Sequence, residues 1–177
     1  KQDISFLNEL KEREDVYLVD LDQLHRKVGC VIMASGKSVR FGDNKLFAEL
    51  NGKTFLQRAL ELTEGIFVKR VVVTRDADAA EYCRAKGVDV ILHDLPFRSD
   101  TVRLGTDFME DMDGIVFCAC DQPMLRRESL LKLRNAFSFE QKELLRLAVE
   151  EKQGMPALFG KKYMDELKNL PEGKGGS

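Results

Sequence analysis

Apolar residues in this chain gather in short unbroken runs, and each run ends in a cluster of polar residues, glycine or proline. Val28–Ala34 (VGCVIMA), Arg70–Thr74 (RVVVT), Val88–Leu92 and Ile115–Cys120 (IVFCAC) are such runs. A strand with one wet face alternates apolar and polar residues; continuous β-branched runs of this length read as strands buried on both faces. Between them apolar residues recur at helical spacing. Thr54 caps a helix carrying Phe55, Leu56, Ala59, Leu60 and Leu62, and Gly65 ends it. Ala77–Lys86, a stretch from Asp100 to Met112 after a loop with Pro96, Arg127–Phe137 and Lys161–Leu170 read as further helices. Leu144–Val149 and Met155–Phe159 read as two strands around a turn at Lys152–Gly154, and Pro171–Ser177 as a Gly-rich tail.

Strands alternating with helices imply a mostly parallel sheet covered on both faces, a Rossmann-like three-layer α/β sandwich. Ligands of such sheets bind beyond the carboxyl ends of the strands, where the strand order switches direction. Two strand ends carry unusual chemistry, the one after Ala34 and the one after Cys120. Residues 1–26 follow a different pattern, with Ile4, Phe6, Leu7 and Leu10 suggesting a short amphipathic helix. They read either as a leader packed on the domain or as the end of an upstream segment. The domain itself spans residues 28–177.

Composition narrows the function classes. The 177 residues suffice for one domain with a sizeable core. The net charge of −2 calls for no nucleic-acid or membrane partner, so a phosphate site must be built from a few placed cations and backbone amides. No apolar run approaches the roughly 20 residues of a membrane span. Lys1 opens a polar stretch rather than a secretory signal, and the expected location is the cytoplasm. Cys30, Cys83, Cys118 and Cys120 fall in apolar or helical patterns and are expected as reduced, buried thiols. Cys118 and Cys120 lack the spacing of a zinc loop, and His25 and His93 are remote in sequence.

The segment after the first strand runs Ala34-Ser35-Gly36-Lys37-Ser38-Val39-Arg40-Phe41-Gly42-Asp43-Asn44-Lys45-Leu46. Gly36 and Gly42 permit positive φ and close approach of a ligand, successive amides can form an anion nest, and Arg40 and Lys45 can flank a polyphosphate. It is not a P-loop, because the required first glycine would fall at Val31 inside the strand. The dinucleotide fingerprint is absent as well. At the other strand end, Asp121-Gln122-Pro123 offers either a Mg²⁺ ligand or an ordinary turn residue. Ser99, Thr101 and Arg103 open a predicted helix, where hydroxyls and amides suit a phosphate or ribose.

The whole pattern A-x-G-x-S-x-R-x-G-x-x-K-L after a buried strand resembles the signature loop of a nucleotidyltransferase family. That family includes molybdenum cofactor cytidylyltransferases and guanylyltransferases and, more distantly, sugar-nucleotide pyrophosphorylases. The resemblance covers residues 28–177 and implies the fold of the nucleotide-diphospho-sugar transferases. It implies that Ala34, Ser35, Gly36, Ser38, Arg40, Lys45, Ser99 and Thr101 face the nucleotide and that Asp121 holds Mg²⁺. Gln122-Pro123 and the stretch Gly154-Met155-Pro156-Ala157-Leu158-Phe159 look like the cytidylyl branch and, with Lys174 and Gly175, would serve the acceptor side. Ser35 stands where the guanylyl branch typically has a second glycine, and a serine there would narrow the pocket and offer a hydroxyl to a pyrimidine edge. The implied reaction is transfer of CMP from CTP to the phosphate of molybdenum-loaded molybdopterin. Arg40, Lys45 and Asp121 would carry the catalysis in a monomer that passes its product to a molybdenum hydroxylase or its chaperone. The family continues past the Gly-rich segment into a strand with a further metal-binding Asp, so the domain is expected to lack its C-terminal end here. Other expectations for the same residues are a guanylyl or sugar/polyol-phosphate transferase, or a non-catalytic nucleotide-binding module.

Overall fold

The computed structural model describes residues 26–36, 45–140, 142–149 and 152–173. All of the expected leader except Arg26, and the loop residues Ser38 and Arg40, lie outside these, as do Lys174 and Gly175. The described chain runs β1 (Val28–Ala34), a 3₁₀ turn (Lys45–Phe47), β2 (Glu49–Leu50), β3 (Lys53–Thr54), α1 (Phe55–Thr63) and β4 (Lys69–Thr74). It continues through α2 (Ala77–Ala85), β5 (Asp89–Leu92), α3 (Arg98–Phe108), β6 (Gly114–Ala119) and α4 (Arg127–Glu140). It ends with β7 (Leu144–Val149), β8 (Lys152–Gly160), a 3₁₀ turn (Lys161–Tyr163) and α5 (Met164–Lys168).

Six strands form one sheet in the order β5-β4-β1-β6-β8-β7. β5, β4, β1 and β6 are parallel, and β8 runs antiparallel to β6 and β7. The chain builds outward from β1 through β4 to β5 and then returns to place β6 on the other side of β1. The strand order therefore switches between β1 and β6, and a crevice opens at their carboxyl ends.

Period-two alternation sorts the continuous strands into two cores. On one face Val28, Cys30 and Ile32 of β1, Val72, Val116 and Leu158 pack with Leu56 and Leu60 of α1, Cys83 of α2, and Leu130 and Phe137 of α4. On the other, Val31, Val71, Val73, Ile115, Phe117 and Phe159 pack with Val102 of α3 and Met164 and Leu167 of α5. Helix α3 approaches the sheet closely at Gly105, where a Cβ would lie 2.6 Å from a Val31 methyl. All four cysteines are buried and none is in a disulfide. Burial pushes the Cys83 thiol up to about 11 and those of Cys118 and Cys120 to about 12. They are protonated, inert packing groups at neutral pH.

Several elements depart from the sequence reading. Residues Lys152–Gly154 are not a turn but part of β8, paired with Val149, Ala148 and Leu147. The irregularity lies further on: the register jumps between Arg146 and Leu147, leaving Met155 and Pro156 unpaired with β7. Pro156 has no N–H to give the ladder, so a bulge there costs least. The small hairpin β2–β3 turns on Asn51 and Gly52, both at positive φ (54° and 74°). Helix α3 starts at Arg98, two residues early, because the Asp100 carboxylate accepts the Phe97 N–H at 2.8 Å and so sits at the third helical position.

Candidate active site

The crevice at the switch point is a pocket of about 430 Å³. Met33, Ala34, Ser35 and Gly36 form its floor, Lys45 and Leu46 one side, and Ala119, Cys120 and Asp121 the other. Arg75 after β4, and Pro96, Phe97, Arg98 and Thr101 around the start of α3, complete the wall. Each residue is delivered by the end of an element. The Cys120 N–H donates to the Met33 carbonyl at 3.1 Å, so Asp121 leaves the sheet directly beside the end of β1. The Lys45 turn returns the chain to the same mouth. Lys45 Nζ donates to Asp121 Oδ2 at 2.8 Å.

This ion pair spans 76 residues of sequence and joins the two motifs that the sequence singled out. The side chains are 35% and 50% exposed, so the pair is worth at most about 1 kcal/mol. A phosphate on Lys45 and a cation on Asp121 can therefore displace it at little cost. Among the described residues the pocket wall carries three cations, Lys45, Arg75 and Arg98, against the single carboxylate of Asp121. That local excess of positive charge, in a chain with net charge −2, suits an anionic ligand.

Sequence reasoning missed Arg75, Arg98 and Phe97. Arg75 directly follows the RVVVT strand, so the strand-end rule could have found it. Its Nε donates to the Ser35 carbonyl at 3.0 Å, and its Nη2 makes a second, shorter bond to the same oxygen.

The structure brings some expected residues to the pocket and not others. Ala34, Ser35, Gly36, Lys45, Thr101 and Asp121 line it. Gly36 is not among the positive-φ residues, and among the described residues no atom lies within 4 Å of where its Cβ would be. Ser35 lines the floor, but its hydroxyl donates to the Val73 carbonyl at 3.0 Å and lies 2.9 Å from His93 Nε2. Both contacts turn the hydroxyl toward the protein. Thr101 is buried with its hydroxyl unpartnered among the described residues. Ser99 is fully buried and does not reach the pocket wall.

Of the expected acceptor-side residues, the described ones, Gln122, Pro123, Gly154 and Pro156, do not join this pocket. Gln122 Nε2 donates to the Met155 carbonyl at 2.6 Å, and the Pro123 carbonyl accepts from Arg58 at 3.2 Å. Pro156 is buried in β8 beside Met155, and Gly154 is exposed on the same strand. These residues form the β8 flank of the Asp121 turn. No group of three or more His, Cys, Asp or Glu side chains able to cage a metal occurs among the described residues. Asp121 alone suits Mg²⁺, which takes one or two carboxylates with substrate oxygens and water, and does not suit an all-protein cage. No helix among the described residues is long and apolar enough to cross a membrane.

Comparison with known proteins supplies the rest. A "probable molybdenum cofactor guanylyltransferase" of Aquifex aeolicus (strain VF5) is 26% identical over 140 residues, 78% of this chain and 66% of the relative. One of Geobacillus sp. (strain WCH70) is 32% identical over 111 residues, 60% of this chain and 56% of the relative. The chain thus spans less than two thirds of the length of either relative. The crystal structure of Rv0371c from Mycobacterium tuberculosis H37Rv shares the fold, with a TM-score of 0.71 and 21% identity over 82% of this chain and 77% of that one. The molybdopterin-guanine dinucleotide biosynthesis protein A of Archaeoglobus fulgidus does so with a TM-score of 0.62 and 21% identity, over 80% and 71%. Residues 30–177, which begin at the third residue of β1 and hold every later element, match one family throughout, and the chain belongs to the MobA-like NTP transferase domain family.

Proposed function

We propose that this chain is a nucleotidyltransferase of molybdenum cofactor biosynthesis. A phosphate oxygen of molybdenum-loaded molybdopterin bonds to the α-phosphorus of a nucleoside triphosphate. The bond from that phosphorus to the bridging oxygen breaks, and pyrophosphate leaves. The observation that carries the reading is the 2.8 Å contact of Lys45 with Asp121 at the mouth of a cation-lined pocket on the switch point. Family membership and the names of the relatives support it.

No covalent protein intermediate is required, so catalysis reduces to positioning and charge neutralisation. Lys45 leaves Asp121 for the α-phosphate and offsets charge as the fifth oxygen approaches. Arg75 and Arg98 face the remaining phosphates, a role the sequence reading gives to Arg40. The floor at Ala34–Gly36 admits the ligand because Gly36 carries no side chain. Asp121 would hold Mg²⁺, which supplies charge neutralisation of phosphate oxygens when bound.

For the base, the proposal is CTP. Its support is the likeness of Ser35, Gln122-Pro123 and the Gly154–Phe159 stretch to the cytidylyl branch. GTP is the second reading, favoured by the guanylyltransferase names of the relatives and by the inward turn of the Ser35 hydroxyl. Pyrophosphate release from CTP, GTP, ATP and UTP in competition, with Mg²⁺ and molybdenum-loaded molybdopterin, decides between them. CTP turnover at least tenfold above GTP is expected. Preference for GTP would replace the base assignment, and Mg²⁺-dependent nucleotide binding without pyrophosphate release would remove the enzymatic reading.

A further inference from the structure

The carboxyl ends of β1, β4 and β5 are stitched together at Ser35. Thr74 Oγ1 donates to the Ala34 carbonyl at 3.1 Å, and the His93 backbone N–H donates to the Thr74 carbonyl at 3.0 Å. This carries His93 just past β5 to within 2.9 Å of the Ser35 hydroxyl by its Nε2. The same hydroxyl lies 3.0 Å from the Val73 carbonyl. A serine hydroxyl has one proton, and a carbonyl can only accept. The proton therefore goes to Val73, and His93 Nε2 must carry the hydrogen that it donates to Ser35 Oγ. The imidazole is then the Nε2–H tautomer with a bare Nδ1. That Nδ1 is buried and meets no partner among the described residues, so a second proton there would find no acceptor. On the backbone side Arg75 grips the Ser35 carbonyl. Ser35 is held by its hydroxyl and its carbonyl together, one residue before the open wall at Gly36.

We propose that His93 is a positioning residue for the nucleotide. Its Nε2–H, acting through Ser35 Oγ, sets where Ser35 and Gly36 stand in the pocket floor. The proposal rests on the nucleotidyltransferase reading for its ligand, although the tautomer and the strut do not.

The test uses the whole chain and the variants His93→Phe, His93→Gln, Ser35→Ala and the double variant His93→Phe/Ser35→Ala. Binding of Mg·CTP and Mg·GTP is measured by calorimetry. Amide resonances of Ser35 and Gly36 and the imidazole ¹⁵N shifts of His93 are read by NMR. His93→Phe should weaken binding of the preferred triphosphate about tenfold, as loss of one partly buried hydrogen bond does. His93→Gln, whose amide Nε2 donates from a similar place, should recover most of that loss. Ser35→Ala should match His93→Phe, and the double variant should be no weaker than either, since both remove one interaction. Additive losses, or a Gln variant no better than Phe, would overturn the proposal. So would an Nδ1–H tautomer in the wild type. If the wild type binds neither triphosphate, the nucleotidyltransferase reading fails by itself. The strut is then judged on the Ser35 and Gly36 resonances, which must shift in His93→Phe and return in His93→Gln. Should His93→Phe not fold, Ser35→Ala removes only a hydroxyl and decides the matter: unchanged binding and an unchanged Gly36 resonance refute the role.

Discussion

Asp121 has two neighbourhoods built on opposite plans. Toward β1 its carboxylate meets Lys45 in a half-exposed pair, beside Arg75, Arg98 and an open glycine. Toward β8 the next two residues are tied down, Gln122 to the Met155 carbonyl and Pro123 to Arg58. The first side is held by contacts cheap enough to be exchanged for a ligand. The second is held by partly buried hydrogen bonds whose loss leaves polar groups short of a partner. One short motif, Asp121-Gln122-Pro123, thus joins a group poised to change partners to two residues that keep it in place. A motif residue need not touch substrate to be required.

The sharpest way to break this contrast is to truncate both sides. Asp121→Ala should lower pyrophosphate release by on the order of 10² or more, as removal of a preorganised charge partner does. It should leave the melting temperature almost unchanged, because the exposed pair contributes little. Lys45→Ala should behave alike. Gln122→Ala should invert the pattern. Stranding the Met155 carbonyl should cost about 1–3 kcal/mol. That shifts the melting midpoint by roughly 2–4 °C per kcal/mol for a domain of this size. Turnover of the folded Gln122→Ala fraction should then fall less than in Asp121→Ala. Thermal melts and turnover on the same preparations check both. A large melting shift in Asp121→Ala, or a turnover loss in Gln122→Ala equal to that of Asp121→Ala, would erase the distinction.

The two neighbourhoods were also unequally legible. The β1 side could be read because its strands are buried on both faces. Continuous apolar runs marked β1, β4 and β6, and the polar loop and Asp121 fell at their ends. The site pair Lys45–Asp121 followed from that rule with the motif resemblance. The β8 side was misread at Lys152–Gly154, because a glycine inside a strand carries the same local signal as one in a turn. The β2–β3 hairpin escaped periodicity since two-residue strands have none, although Asn51-Gly52 announced the turn. Ser99 was legible as a helix start but not as a fully buried one; burial depends on how α3 lies on the sheet, with Gly105 against Val31. Arg75 and His93 reach Ser35 across 40 and 58 residues, and only the strand order β5-β4-β1 brings them there.

A gentler probe asks whether Arg75 belongs to the exchangeable side or to the fixed one. It lines the pocket, yet it also grips the Ser35 carbonyl. If phosphate contact dominates, Arg75→Lys keeps the charge and should lose only a fewfold in nucleotide affinity. Arg75→Ala should then lose about tenfold, with a Kd that rises more steeply with salt in the wild type than in the variant. If the grip on Ser35 dominates, Lys and Ala should be equally impaired, because neither restores the two-pronged contact. Calorimetric titration of Mg·CTP at two ionic strengths separates the outcomes.

The smallest expected effect lies in pH. Burial, and next the Arg75 guanidinium, hold the His93 imidazole below its ordinary value of 6.5, against the opposite pull of Asp100 and Asp94. The folded state therefore prefers neutral His93, while the unfolded chain takes up a proton near the ordinary value. Below that pH the unfolded state binds more protons, so stability falls as acid is added. The contribution is fully present above about 6.5 and is lost as pH drops through the lower folded value. Asp100 acts in a separate window. Its hydrogen bond with Arg103, and next the Phe97 N–H, hold it below 3.8, so its contribution disappears only in stronger acid. Denaturant midpoints between pH 7.5 and 5 should thus decline slightly in the wild type and stay flatter in His93→Gln, whose amide does not titrate. Parallel curves for the two proteins would show that the fold does not disfavour the charged His93 imidazole; since the Nε2–H facing Ser35 is present in both protonation states, the strut itself is decided by the His93→Gln rescue and not by pH.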